Sequence, residues 1–168
     1  SEGNVIGWFH GRMEWGPRAL GNRSIVCDPR RADMKEILNL KIKRRESFRP
    51  FAPSILEERT GDWFVHTHPD PFMLKVYPIR PEKRALIPAV CHADGTGRLQ
   101  TVDARSNPWM SALLSAFEAE TGVPIVLNTS FNVMGKPIIH SVQDAMAVLA
   151  TTGLDGVLLE DVLIEKPA

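Results

Sequence analysis

The segment from Asn107 to residue 127 is the feature that most constrains the fold. Asn107 and Pro108 suit the N-cap and the first position of a helix, and Gly122 suits its end. An apolar run at 123–127 follows at once, and its length is typical of a buried strand. This segment therefore predicts a helix that leads directly into a sheet.

A second helix is predicted from Ser141 to Gly153, because Asp144 stands three residues after a good N-cap. The other predicted elements are strands at 5–9, 24–27, 51–56, 72–79, 98–102, 157–159 and 162–164, and a helix at 32–43. Strands that alternate with helices predict an α/β or α+β domain with a mixed β-sheet.

Composition restricts the functional class. The chain has 168 residues, enough for one domain with a real core, and a formal net charge of zero. A neutral chain is a poor candidate for a nucleic-acid or membrane-surface protein. Two cysteines without a CxxC motif, no long apolar stretch and no signal-peptide pattern indicate a cytoplasmic protein. The abrupt start suggests a domain taken from a longer protein.

Charge is unevenly distributed, and the basic first third of the chain contains two motifs rich in arginine and lysine. The first, GRMEWGPRALGNRS, follows a predicted strand and contains Arg12, Arg18 and Arg23. Arginine presents a planar fork that matches phosphate and carboxylate oxygens, and loops after strands are where α/β folds place ligands. A surface loop whose arginines pair with nearby acids remains an equal alternative.

The second motif, KIKRRESFRPFAPS, lies between a predicted helix and a predicted strand. It contains Lys43, Arg45 and Arg49 among apolar residues, so that part of the run is expected to lie against the core. A partly buried cation needs an anionic partner. Either Glu46 or a bound anion satisfies that requirement.

Two polar loops complete the candidate site. HADGTGR contains tight turns before Arg98, with Thr96 beside it, and NTSFN follows the strand at 123–127. Asn128, Ser130 and Asn132 of this loop offer hydroxyl and amide groups to a phosphate or a ribose. The alternative for HADGTGR is a tight turn with a satisfied histidine, and the alternative for NTSFN is turn capping by local side-chain hydrogen bonds.

Several familiar sites are absent from the sequence. It has no GxxxxGK[ST], GxGxxG, GxSxG or HExxH motif. His66 and His68 stand near Asp70, but no fourth metal ligand is evident beside them. The sequence therefore predicts no metal bound by protein ligands.

Four segments together resemble one family over residues 5–166. GRMEWGPRALGNRSI, IKRRESFRPFAPSIL, PAVCHADGTGRLQTV and TGVPIVLNTSFNVMGKPI occur in the order found in the C-terminal domain of NodU/CmcH/TobZ-type O-carbamoyltransferases. The resemblance implies a YrdC-like fold, a twisted mixed sheet flanked by helices with a concave basic site, for residues 1–168. It also implies a partner, the TsaD-like N-terminal transferase domain, which this sequence lacks.

The resemblance also implies the residue roles. The catalytic candidates are Arg18, Lys43, Arg98 and Ser130. The candidates for binding substrate or nucleotide are Arg12, Arg23, Arg45, Arg49, Thr96, Asn128 and Asn132. Departures from the usual family residues, namely His10, Trp15, Gly97 and Lys136, remove none of these candidates.

The function implied is binding of ATP and carbamoyl phosphate and formation of carbamoyl adenylate for transfer to a hydroxyl acceptor. Mg²⁺ is expected to arrive with ATP. The alternative is a non-catalytic domain that binds a nucleotide or a partner. RNA binding is disfavoured by the neutral charge and by the few aromatic residues among the basic ones.

Overall fold

A computed structural model describes residues 3–66 and 68–167, which divide into two compact units. Among the described residues, the first unit comprises 3–28, 33–49 and 128–167, and the second comprises 29–32, 50–66 and 68–127. Strand β7, Ile125–Ser130, begins in the second unit and ends in the first.

The first unit is built on a mixed sheet. Its strands are β1 (Val5–Phe9), β2 (Arg23–Cys27), β8 (Gly156–Leu159), β9 (Val162–Glu165) and the end of β7. Their order is β7-β2-β1-β8-β9. β1 runs antiparallel to β2 and parallel to β8, and β9 returns antiparallel to β8. The predicted strands at both ends of the chain are confirmed.

Two helical segments belong to this unit. The predicted helix at 32–43 consists of a short α1 (Met34–Ile37) that continues as a π-helix, Leu38–Lys43. The predicted second capped helix is α4 (Val142–Thr151). Ser141 and Asp144 form its capping box, and α4 packs on β1 and β8.

Close packing explains the glycine in the middle of β1. A Cβ atom on Gly7 would lie 2.4 Å from the Phe131 ring, which is fully buried. Any side chain at position 7 would therefore displace a core aromatic residue. Other fully buried side chains of this unit are Ile25, Met34, Leu38 and Ile42.

The second unit contains the order β6-β3-β7 and a two-stranded ribbon. β3 (Ala52–Leu56) pairs in parallel with β6 (Gln100–Val102), and β4 (Tyr77–Pro78) pairs with β5 (Thr96–Gly97). The helices are α2 (Thr60–Trp63) and α3 (Pro108–Thr121), with 3₁₀ turns at Glu57–Arg59, Pro81–Leu86 and Pro88–Val90. α3 has its predicted Asn107 cap, ends at Gly122 with φ +73°, and packs on β3.

The predicted strand at 72–79 is wrong except for Tyr77–Pro78. The carboxylate of Asp70 accepts hydrogen bonds from Leu74 N and Lys75 N, both at 3.2 Å, and so holds a turn instead. The predicted strand at 98–102 is limited to Gln100–Val102. The fold class is nevertheless the predicted one: a mixed sheet flanked by helices. Within residues 3–66 and 68–167, no helix has the length and hydrophobicity needed to cross a bilayer.

Candidate functional site

The loop between β1 and β2, residues 10–22, is folded around the carboxylate of Glu14. Glu14 Oε1 accepts hydrogen bonds from Leu20 N at 2.7 Å and Asn22 N at 3.1 Å, and Oε2 accepts one from Arg23 N at 3.0 Å. Burial raises the pKa of this carboxyl, whereas the backbone donors act in the opposite direction. A single acidic side chain therefore fixes the path of the arginine-rich loop.

The buried side chain of Arg23 also stabilises this loop. Its guanidinium donates to the carbonyl oxygens of His10 at 2.9 Å, Asn22 at 2.8 Å and Gly11 at 3.1 Å. It also lies 3.5 Å from the centre of the Phe9 ring, and the residue is only 4% exposed. Burial lowers the pKa of Arg23. These contacts fit a role in holding the loop, and the predicted ligand contact of Arg23 stays a prediction.

The other two arginines of the loop lie nearer the surface. Arg12 is exposed, and Arg18 is half-buried with its guanidinium donating to Pro17 O at 3.2 Å. The start of the loop is held by Glu160, at the turn between β8 and β9. Glu160 Oε1 accepts from Gly11 N at 2.9 Å.

Lys43, at the end of the π-helix, meets the end of β7. Its Nζ donates to Asn132 Oδ1 at 2.8 Å, Asn132 O at 3.1 Å, Ser130 Oγ at 3.3 Å and the Ser130 carbonyl oxygen. Ser130 Oγ in turn donates to Asn132 Oδ1 at 2.8 Å. We call Lys43, Ser130 and Asn132 the lysine cluster. Three of the predicted site residues are thus in direct contact across 87 positions of sequence.

Burial sets the charge of the lysine cluster. Lys43 is 3% exposed, and removal from water, followed by the positive charge of Arg45, lowers the pKa of Lys43 to about 7. The four surrounding oxygen atoms favour the ammonium form and oppose this shift. Lys43 is therefore a cation whose charge changes near neutral pH.

The buried side chain of Asn39 shapes the turn after Lys43. Its Oδ1 accepts from Arg45 Nε at 2.8 Å, and its Nδ2 donates to Ser47 O at 3.2 Å and Arg49 O at 3.1 Å. Arg45 is thereby oriented within the protein. Arg49 is exposed and pairs with Glu46 Oε2 at 2.9 Å, whereas the partners of the buried Lys43 are neutral oxygen atoms. The predicted ligand contacts of Arg45 and Arg49 stay predictions.

Hydrogen bonds to backbone atoms tie the three motifs of the first unit together. Asn128 Nδ2 donates to Ala19 O at 3.3 Å, and Phe131 N donates to Arg23 O at 2.8 Å. Met134 N donates to Lys43 O at 3.1 Å. The arginine loop, the end of the π-helix and the NTSFN segment are therefore neighbours.

Thr96 and Arg98 belong to the second unit, at β5 and just before β6. Thr96 Oγ1 donates to Asp94 Oδ1 at 2.6 Å, and Thr96 N donates to the same oxygen at 3.0 Å. These two hydrogen bonds lower the pKa of Asp94. Arg98 is half-buried. The expected contact of both residues with a nucleotide remains a prediction.

Sequence reasoning missed the two side chains that organise the site, Glu14 and Asn39. The arginine-rich motif contains Glu14 without indicating its role, and helical spacing places Asn39 in an ordinary helix. An acid among glycines and arginines was the available signal for Glu14, whereas a buried asparagine cannot be distinguished from an exposed one by helical spacing. Among the residues that the structure describes, no group of three or more His, Cys, Asp or Glu side chains is placed to hold a metal.

Comparison with known proteins gives a consistent result. The family described as "Carbamoyltransferase C-terminus" matches residues 1–166. Nodulation protein NolNO of Sinorhizobium fredii is 51% identical over 99% of this chain, which corresponds to 25% of that protein. The 3'-hydroxymethylcephem-O-carbamoyltransferase of Amycolatopsis lactamdurans is 39% identical over 98% of this chain and 31% of its own length.

Nodulation protein U of Rhizobium tropici is 43% identical over 93% of this chain and 26% of its own length. The chain thus spans between a quarter and a third of these relatives. The match covers all four motifs on which the resemblance was based. This chain belongs to the carbamoyltransferase C-terminus family.

Proposed function

We propose that this chain is the part of an O-carbamoyltransferase that binds ATP and carbamoyl phosphate and forms carbamoyl adenylate. The observation that carries the proposal is the lysine cluster, in which a buried cation, a hydroxyl and an amide converge at the end of a strand. A phosphate would replace some of the oxygen acceptors around Lys43 Nζ, and it would supply the negative charge that this buried cation lacks. The name of the cephem relative supports O-carbamoyl transfer as the overall reaction.

Charge is the main physical problem of this reaction. ATP and carbamoyl phosphate together carry about six negative charges, and their reacting atoms must approach closely. Lys43 supplies a desolvated positive charge, and Arg12 and Arg18 lie on the loop that Glu14 holds. Mg²⁺ bound to the triphosphate would supply further neutralisation.

A balanced route has two steps. Water first cleaves carbamoyl phosphate to carbamate and phosphate, and a carbamate oxygen then attacks the α-phosphorus of ATP. The bond between the α-phosphorus and its bridging oxygen breaks, and pyrophosphate leaves. In this route the side chains of Lys43 and Ser130 position phosphate oxygens and stabilise charge, and neither forms a covalent bond.

Lys43→Met and Lys41→Met form a matched pair of variants. Lys43 is buried in the cluster, whereas Lys41 is exposed two positions earlier on the same π-helix. In calorimetric titrations with ATP and Mg²⁺, Lys43→Met should weaken binding at least tenfold, because a charged hydrogen bond contributes about 1.5–3 kcal/mol. Lys41→Met should bind like the parent chain. Lys43→Met and Ser130→Ala should also abolish pyrophosphate release that depends on carbamoyl phosphate.

Proton uptake gives an independent measurement. A bound polyanion favours the ammonium form of Lys43, so that binding at pH 8 should take up close to one proton. Titrations in buffers of different ionisation enthalpy should show this uptake in the parent chain and none in Lys43→Met. If ATP does not bind to the folded chain, the proposal is refuted. If ATP binds without carbamoyl-phosphate-dependent pyrophosphate release, the non-catalytic alternative is favoured.

A further inference from the structure

A polar cleft in the second unit has no assigned role. It has a volume of about 410 Å³, and it is lined by α2 and the turn before it, by the segment 80–83 and by the end of α3 at Gly122. Its charged lining residues are Arg59, Asp62, Arg80, Glu82 and Lys83. All of these lie between the second and the third of the motifs that carry the family resemblance, so that none of them belongs to the candidate site.

The charge of Arg59 is balanced within the protein. Its Nε lies 3.1 Å from Asp62 Oδ2, and its Nη2 lies 3.2 Å from Glu118 Oε1. Arg59 therefore has two acidic partners, and Asp62 is engaged by it. The other two cations of the cleft need to be considered separately.

Arg80 and Lys83 are held in place by neutral groups. Arg80 Nε donates to Gly61 O at 2.8 Å, and Lys83 Nζ lies 4.8 Å from the centre of the buried Trp63 ring. Both cations are half-buried, and neither forms an ion pair with a carboxylate of the described residues. The Nη atoms of Arg80 make no hydrogen bond to the described part of the chain. A partly buried cation is costly unless an anion faces it, so that both charges lack compensation.

We propose that this cleft binds a diphosphate, with one phosphoryl group at the Nη atoms of Arg80 and the other at Lys83 Nζ. The planar fork of an arginine matches two oxygen atoms of one phosphoryl group, and a lysine acts as a point charge. Contacts with Gly61 and Trp63 already orient the two side chains, which lowers the cost of ordering them on binding. The inference goes beyond the proposed function, since the cleft lies in the second unit and the lysine cluster in the first.

Two features of the cleft oppose an anion and set its affinity. Glu82 lines the cleft, is exposed and has no ion-pair partner within residues 3–66 and 68–167. The end of α3 at Gly122 carries the negative partial charge of a helix C-terminus. The cations of the lining still outnumber its acids, so that removal of the Glu82 charge should strengthen binding.

The test is a titration of the unsubstituted chain with inorganic pyrophosphate in the presence of EDTA, followed by ¹H–¹⁵N NMR. The amides of Gly61 and Gly122 report on the cleft, whereas those of Ser130 and Asn132 report on the lysine cluster. The inference predicts saturable shifts at Gly61 and Gly122. Inorganic phosphate, with a single phosphoryl group, should bind there at least about tenfold more weakly.

Lys83→Met and Lys75→Met form a matched pair of variants, because Lys75 is exposed in the same unit and outside the lining. Lys83→Met and Arg80→Gln should each weaken the pyrophosphate affinity measured at Gly61 at least about tenfold, since each removes a charged contact. Lys75→Met should leave it within about twofold, and Glu82→Gln should strengthen it about two- to threefold. The spectrum of each variant also shows whether it is folded.

Several results would overturn the inference. They are the absence of saturable shifts at Gly61 and Gly122 in the unsubstituted chain, equal losses in Lys83→Met and Lys75→Met, and equal affinity for phosphate and pyrophosphate. None of these results affects the proposed function, which is tested by ATP binding and by Lys43→Met. Conversely, loss of shifts at Ser130 and Asn132 in Lys43→Met should leave the shifts at Gly61 and Gly122 unchanged.

Discussion

Replacing Lys43 by methionine is expected to change how the stability of this chain depends on pH. The pKa of Lys43 falls from the ordinary lysine value of 10.5 to about 7 on folding, chiefly because the side chain is buried. Between these two pH values the unfolded chain binds more protons at Lys43 than the folded chain does. The free energy of unfolding therefore rises with pH over this window.

The magnitude follows from the same two values. Each pH unit between about 7 and 10.5 contributes about 1.4 kcal/mol, so that the whole effect is about 5 kcal/mol. Below pH 7 the burial of the ammonium carries its full cost, and this cost disappears as the pH approaches 10.5. Methionine does not titrate. Lys43→Met also leaves the oxygen atoms around Nζ without a donor, and the resulting change in the free energy of unfolding does not depend on pH.

This effect can be measured by urea denaturation of the parent chain and of Lys43→Met at pH values from 7 to 10. Circular dichroism monitors the unfolding transition. The stability of the parent relative to the variant should increase by about 4 kcal/mol over these three pH units. Cys27, Cys91 and Tyr77 have raised pKa values and also titrate, but they are present in both proteins and cancel in the difference. A difference that stays constant with pH would show that the oxygen atoms around Nζ outweigh burial, and the reasoning would be wrong.

Two further predictions concern side chains that hold loops. Glu14→Ala leaves the backbone N–H groups of three residues without their acceptor. In urea titrations this variant should lower the free energy of unfolding by about 2–4 kcal/mol. The control is Glu36→Ala at an exposed position, which should change the free energy of unfolding by less than about 0.5 kcal/mol. Equal effects of the two variants would contradict the assigned role. Tyr77, the single tyrosine, has a pKa raised by burial and by its hydrogen bond to Asp70 at 3.0 Å. Absorbance titration at 295 nm should show a lower Tyr77 pKa in Asp70→Asn than in the parent, and no change would refute this assignment.

Local interactions explain which parts of the fold could be predicted. The helix Pro108–Thr121 begins at an asparagine cap and ends at Gly122, and α4 begins at the Ser141 capping box. These signals act within one helical turn, and they can be read directly from adjacent residues. The same holds for the short apolar strands at each end of the chain. The sequence also indicated which motifs carry the basic and polar side chains.

Long-range contacts decided the rest. Helical spacing does not show that the segment Leu38–Lys43 is a π-helix or that it aims Lys43 at Ser130, 87 positions away. The arginine-rich motif likewise does not show that the Arg23 guanidinium donates to backbone carbonyl groups, whereas Arg12 is exposed.

The prediction of a strand at 72–79 was wrong for the same kind of reason. Backbone N–H groups that an apolar pattern predicts to pair within a sheet donate instead to the carboxylate of Asp70. By itself the sequence determined the locally capped elements and the chemical types at the site. The tertiary structure alone decided which of those groups meet, since buried hydrogen-bonding groups must find partners and those partners lie far apart in the chain.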